Sequence, residues 1–219
     1  MTIHNYSNID GDYINTTEVT INSKTALNMN LTGLSYDIGY PNNVYDTHVF
    51  GITTLCVFRK ESDQYNHRWV ILSGHGAGSG YFVVRRESNL NRIAIYFGAT
   101  VYNSNDEMIP FNFTEPDDSN CLVYGSVKQI ADTRYEFILE LHRFTTSDTD
   151  VSVVKKHFVK DFDLSGPNYS RYVIGMDQIS NDLNHYGSIT LAEARHYKGN
   201  FTTTDKDNLI QSIITYWTT

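Results

Sequence analysis

Hydrophobic and polar residues alternate along much of this chain, and the alternation predicts β-strands. The clearest case is residues 134–144, where every second residue is apolar and most residues between are polar. The apolar residues are Tyr135, Phe137, Leu139 and Leu141. A period of two residues is what a strand with one buried face requires. Residues 48–59 carry apolar side chains on both faces, which predicts a strand buried on both sides at the centre of a sheet.

Further strands are predicted at intervals of about ten residues, with turn-forming segments between them. They cover residues 25–31, 68–73, 81–87, 92–102 and 151–159. Two segments are predicted to be loops: residues 33–43, which contain glycines and a proline, and residues 103–120, which are polar and contain two prolines. Short strands at this spacing indicate an all-β sandwich.

One helix is predicted, over residues 203–217 at the C-terminal end. Its apolar residues recur every three or four positions and are Leu209, Ile210, Ile213, Ile214 and Trp217. Thr204 is the predicted N-cap, because a threonine hydroxyl can accept a hydrogen bond from a free backbone N–H at the start of a helix. Asp207, three residues on, makes an aspartate version of the capping box.

Composition adds the domain organisation and excludes some partners. The 219 residues are 40% hydrophobic and carry a net charge of −8, with no basic stripe. Nucleic acid and anionic membranes are therefore not expected partners. Residues 21–219 are predicted to form a single domain. Residues 1–20 are a polar leader, interpreted either as a docking arm or as a frayed end, and they lack the basic and apolar regions of a secretion signal.

Two cysteines, Cys56 and Cys121, complete the composition, and neither belongs to a metal-binding cysteine pattern. Cys56 lies in an apolar strand pattern, which favours a buried thiol. No catalytic zinc is expected, because the histidines do not fall at zinc-site spacings. No cofactor is predicted from these residues.

The order of several motifs resembles laminin-G-like and pentraxin-type domains of the concanavalin A-like class. The motifs are Phe-x-Ile-x-Thr at 50–54, Arg-Trp-x-Ile-Leu-Ser-Gly at 68–74, Gly-Tyr-Phe at 80–82, Ile-x-x-Tyr-Phe-Gly at 93–98, Tyr-Val-Ile-Gly at 172–175, and the glycine-led strand at 186–197 before the helix. The resemblance implies a jelly-roll β-sandwich of two antiparallel sheets with one short C-terminal helix. It also implies a non-catalytic module that binds a glycan or a cell-surface receptor.

The glycine-rich segment Ser73–Gly80 is the candidate binding loop. It lacks the Gly-Lys-Ser/Thr of a phosphate-binding loop, and a strand follows it instead of a helix. His75 is its one large side chain, and Trp69, Tyr81 and Arg85 lie on the strands that enter and leave it. An aromatic face and a guanidinium suit a sugar or an acidic group. The alternatives stay open: Trp69 as a core residue, and Arg85 as a solvated charge.

A calcium site is a second candidate. Asp177, Asn181 and Asp182 lie in a segment just before the C-terminal strand, where domains of the resembled class often hold Ca²⁺, and hard oxygen ligands suit this ion. The same cluster of Asp, Asn and Ser is also ordinary turn chemistry. The sequence leaves both interpretations open.

The alternative function is a polysaccharide-degrading enzyme, a glycosidase or a lyase, on the same fold. Glu136 and Glu140 share a strand face, but four residues of strand separate them by about 13 Å. Glycosidase carboxyls are about 5 Å apart in retaining enzymes and about 6.5–9.5 Å apart in inverting ones. Glu136, Glu140 and His142 are therefore predicted to form a solvated sheet face. The lyase-like segment at 96–103 carries Gly98 where a lysine is expected.

A role as a structural subunit of a virus or phage particle is compatible with binding. A lectin-like domain with a polar leader and no secretion signal suits a fibre tip or a head-decoration protein. The leader would then contact other virion proteins, and a homotrimer is expected. The corresponding location is the virion or an extracellular surface, and the cytoplasm if the chain is not a particle protein.

Overall fold

The structure is a computed structural model. It describes residues 16–30, 34–37, 52–60, 70–75, 82–87, 92–97, 100–101, 109–110, 120–144, 152–161, 171–174, 188–198 and 200–219. The strands in the first half of these residues are β1 Thr16–Ile21, β2 Lys24–Asn30, β3 Leu34–Asp37, β4 Ile52–Lys60, β5 Val70–His75, β6 Phe82–Glu87 and β7 Arg92–Phe97. The later elements are β8 Thr100–Val101, β9 Ile109–Pro110, β10 Asn120–Ala131, β11 Arg134–Phe144, β12 Ser152–Asp161, β13 Arg171–Ile174, β14 Ser188–Lys198 and the helix α1 Thr203–Thr218.

These strands form two sheets in which every described pairing is antiparallel. Sheet 1 has the order β1-β2-β14-β4-β10-β11-β12, and sheet 2 has the order β3-β13-β5-β6-β7-β8, with β9 also paired to β7. The predicted all-β sandwich with one C-terminal helix is confirmed. The central position predicted for residues 48–59 is also confirmed, because β4 lies between β14 and β10.

One face of sheet 1 carries the core predicted from the alternation in β11. Tyr135, Phe137 and Leu139 are at most 1% exposed, and Leu141 is also buried. Phe137 stacks on Phe158 of β12 with ring centroids 4.9 Å apart. Burying a phenylalanine side chain stabilises a fold by roughly 1.5–3 kcal/mol, so this face is a main source of stability. Strand β9, which is paired to β7 of sheet 2, contacts β11 and β12 of sheet 1, and its Ile109 is fully buried.

Strand β10 was not predicted from the sequence, although it lies inside sheet 1 between β4 and β11. Its residues 120–127 are all buried, because α1 covers one face of the strand and the core covers the other. Complete burial removes the alternation that a half-exposed strand shows, and Asn120, Gly125 and Ser126 also interrupt the long apolar run by which β4 was predicted. Both predicted loops also contain strand: residues 33–43 include β3, and residues 103–120 include β9 and the first residue of β10.

The β1–β2 hairpin forms one edge of sheet 1. Asn22 and Ser23 close it with φ of 48° and 60°, and two successive positive φ values are the geometry of a type I′ turn. Because β1 begins at Thr16, the end of the leader predicted at residue 20 falls inside this strand. The predicted leader before residue 16 lies outside the described residues.

The helix α1 packs on the face of sheet 1 opposite the β11 core. Its Ile210, Ile213, Ile214 and Trp217 are buried against Leu122, Tyr124 and Phe144 of the sheet and against Ile21 and Ala26 of the hairpin. The predicted helix is confirmed, but the predicted N-cap is wrong. Thr202 is the cap: its hydroxyl accepts from Asp205 N at 3.2 Å and donates to Asp205 Oδ2 at 2.7 Å. The spacing Thr-x-x-Asp occurs twice, two residues apart, and the folded chain uses the first.

Candidate functional site

The structure places two of the four predicted loop residues on described strands. His75 ends β5 and Arg85 lies on β6, and these strands are neighbours in sheet 2. Trp69 and Tyr81, together with the rest of the glycine-rich loop after His75, lie outside the described residues. Gly74 pairs with Phe82, whereas Arg85 pairs with Val70. His75 is therefore at the loop end of this strand pair, and Arg85 lies about 10–13 Å further along it.

Sheet topology brings two further ionisable residues to the level of His75. Arg171 at the start of β13 pairs with His75 on one side and with Asp37 of β3 on the other. Neighbouring strands lie about 4.8 Å apart, so the backbone positions of all three residues fall within about 10 Å at one end of sheet 2. We call Asp37, Arg171 and His75 the rim row. Sequence reasoning missed Asp37 and Arg171, because they lie 38 and 96 positions from His75 and no local pattern links them.

A second polar cluster lies under α1, around the buried carboxylate of Glu140. Lys206 of α1 donates from Nζ to Glu140 Oε1, and His142 Nε2 lies 2.9 Å from Oε2. Lys155 Nζ of β12 lies 3.5 Å from the same oxygen. Glu140, His142 and Lys206 are all buried, and the Lys206 ammonium also lies 5.8 Å from the centre of the Tyr124 ring. A buried carboxylate is thus matched by positive charge and by hydrogen-bond donors.

These contacts set the ionisation of the pair. Burial alone would raise the pKa of Glu140, but hydrogen bonds from His142 and Lys206 and the charges of Lys206 and Lys155 outweigh it and lower this pKa to about 2. Burial alone would lower the pKa of Lys206, and its hydrogen bond and attraction to Glu140 raise it instead. Both side chains are therefore charged over the physiological range.

The prediction of a solvated face at Glu136, Glu140 and His142 is wrong for the last two residues. The polar positions of β11 do point away from the core, but α1 covers that side of the sheet and buries Glu140 and His142. Glu136 is half-buried, with Oε1 2.9 Å from Nε2 of the exposed His157. The strand pattern predicted the face correctly, and only the helix contact decided what covers it.

Glu193 of β14 is the second buried carboxylate among the described residues. Trp217 Nε1 donates to its Oε2 at 2.8 Å, and Arg195 Nε donates to its Oε1. Burial would lower the pKa of Arg195, but hydrogen bonds to Tyr197 and Glu193 raise it. Three strand spacings separate β14 from β11, so Glu193 and Glu140 are at least about 14 Å apart, too far for the carboxyl pair of a glycosidase.

The remaining candidate chemistry is limited in the described part of the chain. The predicted calcium ligands Asp177, Asn181 and Asp182 lie outside it, and the calcium site stays a prediction. Within the described ranges, no three His, Cys, Asp or Glu side chains are grouped so that they could hold a metal ion. Burial raises the pKa of the Cys121 thiol, which makes it a poor nucleophile. No helix in these ranges is both long and apolar enough to span a membrane.

Comparison with known proteins shows the fold class but no family. No protein-family model matches the chain, and no curated protein matches it. Among solved structures, a mutant of HCR D/C VPI 5995 is similar over 91% of this chain, with 11% identity and a TM-score of 0.53, and the chain spans 46% of that structure's length. An alginate lyase from Aplysia kurodai has 7% identity and a TM-score of 0.43 over 84% of this chain and 87% of its own. The basic winged bean lectin, solved with Tn-antigen, has 13% identity and a TM-score of 0.41 over 83% and 84%. The chain is a jelly-roll-like β-sandwich.

Proposed function

We propose that this chain is a non-catalytic binding module that recognises a glycan or a cell-surface receptor at the end of sheet 2. The observation that supports this best is the rim row. Three segments that are far apart in sequence place Asp37, Arg171 and His75 side by side, next to the glycine-rich loop. Loops and strand ends on a rigid sheet are where binding residues concentrate.

The chemistry of the rim row suits a polar ligand with hydroxyl or carboxylate groups. A guanidinium donates in a fixed fork that matches carboxylates, an aspartate accepts from hydroxyl groups, and an imidazole can do either. The flanking Tyr81 would add an aromatic face for stacking. A sugar presents hydroxyl groups, carboxylates in acidic sugars, and a ring face for stacking on one small surface. This is why we favour a glycan or a glycosylated receptor as the ligand.

The alternative, a polysaccharide-degrading enzyme, has less support from the described carboxylates. Glu140 and Glu193 are both buried and held by basic or indole partners, so neither is free to protonate a leaving group. The likeness in fold extends to a lectin and to a lyase, so the fold itself does not separate binding from catalysis. Binding and catalysis are therefore distinguished by the chemistry of the site residues and not by the fold.

A glycan array tests the proposal directly. We expect wild-type protein to bind a defined set of glycans, and both the His75→Ala, Tyr81→Ala double variant and the Arg171→Ala variant to lose most of that signal while keeping the wild-type melting temperature. Tyr216→Ala is the matched control, because it removes an exposed tyrosine from α1, outside the proposed site. If folded variants keep every wild-type glycan, the site lies elsewhere. Release of reducing ends or of unsaturated uronates from a polysaccharide panel would favour the enzyme.

We propose as a separate matter that this module belongs to a virus or phage particle, with the residues before β1 as a docking arm. Light scattering on the full chain and on a chain lacking residues 1–14 tests it. A trimer that becomes a monomer on truncation supports a docking arm. Because β1 begins at Thr16, this truncation leaves the sheet intact, whereas removal of residues 1–20 would also remove most of β1.

A further inference from the structure

Strand β12 is the outermost strand of sheet 1, and no described strand pairs with its other edge. It is ten residues long, with the sequence Ser-Val-Val-Lys-Lys-His-Phe-Val-Lys-Asp. A strand in this position presents a row of backbone N–H and C=O groups to whatever lies beside it, and such a row is a template for another strand.

The side chains of β12 are unusually apolar for an exposed strand. Val153, Val154 and Val159 are 41%, 40% and 36% exposed. They are three of the five large hydrophobic side chains that are exposed in the described part of the chain, the others being Ile130 and Tyr216. Exposed valines that cluster on one edge strand provide apolar contacts that isolated surface valines do not.

The charge of β12 is opposite to that of the whole chain. The chain has a net charge of −8, whereas β12 contains three lysines against a single aspartate. The Lys155 side chain is 52% exposed although its ammonium lies near Glu140, and the His157 side chain is 61% exposed beside Glu136. A basic strand at the edge of an acidic protein attracts an acidic partner and orients it before contact.

From these observations we propose that β12 is a docking strand for an extended acidic segment of a partner protein, which adds to sheet 1 along the outer edge of β12. Backbone hydrogen bonds would hold the segment, and its alternate side chains would meet the valines and the lysines. A second copy of β12 fits less well, because pairing it with itself brings two basic strands together. A polysaccharide would use the lysines but has no apolar side chains for the valines.

Binding of a designed peptide tests this proposal without any glycan, so its result is independent of the proposed function. The probe is a ten-residue peptide of alternating valine and glutamate with a terminal fluorophore, and the control peptide carries lysine in place of glutamate. We expect fluorescence anisotropy to show binding of the glutamate peptide only, weakening as salt is added. Hydrogen exchange should show slower exchange of β12 amides when the peptide is bound.

The protein variants test the surface. Val153→Glu together with Val159→Glu should weaken peptide binding at least tenfold by adding charge repulsion and removing apolar contact. Ile130→Glu together with Tyr216→Glu is the matched control, because it changes the two exposed hydrophobic residues that lie off β12 and adds the same charge. Binding that is equal in both double variants, or absent from wild type, overturns the proposal. Binding of polygalacturonate in place of the peptide, insensitive to the valine changes, overturns it as well.

Discussion

At the scale of single residues, the buried carboxylate of Glu140 shows how neighbours decide what an acidic side chain does. Its two oxygens are divided between Lys206, His142 and Lys155, which come from three different elements. An isolated buried carboxylate would be neutral or strongly destabilising. With these partners Glu140 stays ionised and links α1 to β11 and β12.

Protonation of Glu140 should destabilise the fold at acidic pH. The pKa is lowered from its ordinary value of 4.5 to about 2, so the ionised group stabilises the folded chain above pH 4.5, and this contribution is lost as the pH falls toward 2. We expect a loss of about 3 kcal/mol in the free energy of unfolding across that range from this group. Urea denaturation at pH 5 and pH 3 should show a smaller difference for Glu140→Gln than for wild type. Equal differences in the two proteins would contradict the assignment.

Removing the lysine partner should cost more than removing an exposed lysine. Lys206→Met leaves Glu140 with only His142 and the more distant Lys155, and breaking a buried pair typically costs about 3–5 kcal/mol. Lys128→Met, at an exposed position of β10, should change stability by less than about 0.5 kcal/mol. The double change Lys206→Met with Glu140→Met should recover part of the loss, because neither member of this charged pair is then buried. Thermal unfolding of the four proteins measures this, and a double variant less stable than Lys206→Met would contradict it.

At the scale of elements, α1 is fixed at both ends by a buried carboxylate of sheet 1. Lys206 contacts Glu140 on β11, and Trp217 contacts Glu193 on β14. The step of eleven residues from Lys206 to Trp217 spans about 16 Å of helix, close to the roughly 14 Å across three strand spacings. Beyond β14, Asn22 of the hairpin donates from Nδ2 to Trp217 O at 2.8 Å, and Lys24 lies 4.8 Å from the centre of the Tyr216 ring. The helix therefore ties several strands of sheet 1 together.

The start of the helix gives a test with a built-in control. Thr202→Ala removes the side chain that accepts from Asp205 N, and loss of an N-cap typically costs about 1 kcal/mol. In a domain of this size that lowers the melting temperature by about 2–4 °C. Thr204→Ala removes an exposed threonine inside the helix and should leave the melting temperature unchanged or slightly raised. A lower melting temperature for Thr204→Ala than for Thr202→Ala would instead place the cap at Thr204.

At the scale of the whole molecule, α1 shields from solvent the face of sheet 1 that lies opposite the β11 core. Without it, Leu122, Tyr124 and Phe144 would be exposed together with the carboxylates Glu140 and Glu193. The sandwich is therefore a stack of sheet 2, sheet 1 and helix, and the helix is part of the core.

Truncation tests that statement. A chain that ends at Phe201 lacks α1 and should bind a hydrophobic dye, lose its cooperative unfolding transition and aggregate, because the exposed sheet face is apolar. A chain that ends at Trp217 keeps the buried helix face and should unfold within a few degrees of wild type. Dye fluorescence and differential scanning calorimetry report both. If the protein without α1 is soluble and unfolds cooperatively, the helix is not a required part of the core.

The sequence alone determined the fold class, most strands and the helix, for a local reason. A strand with one buried face must alternate and a helix packed on one side must repeat every three or four residues, and both constraints leave a pattern in neighbouring residues. Residues 134–144 and 203–217 carried such patterns, and the corresponding elements are β11 and α1. Strand β10 was missed because Asn120, Gly125 and Ser126 interrupt its apolar residues, so it shows neither an alternation nor the long apolar run that marks β4.

Tertiary structure alone decided which side chains meet. The ion pair Lys206–Glu140 joins residues 66 positions apart, and Glu193 meets Trp217 across 24 positions. The order of strands in sheet 2 likewise places the backbone positions of Asp37, Arg171 and His75 next to one another. Each residue lies at a position that its local pattern allows, but the partner is set by how sheets and helix pack over long distances in sequence. Because a partner of this kind leaves no mark in the neighbouring residues, local patterns can predict the faces of elements but not what covers them.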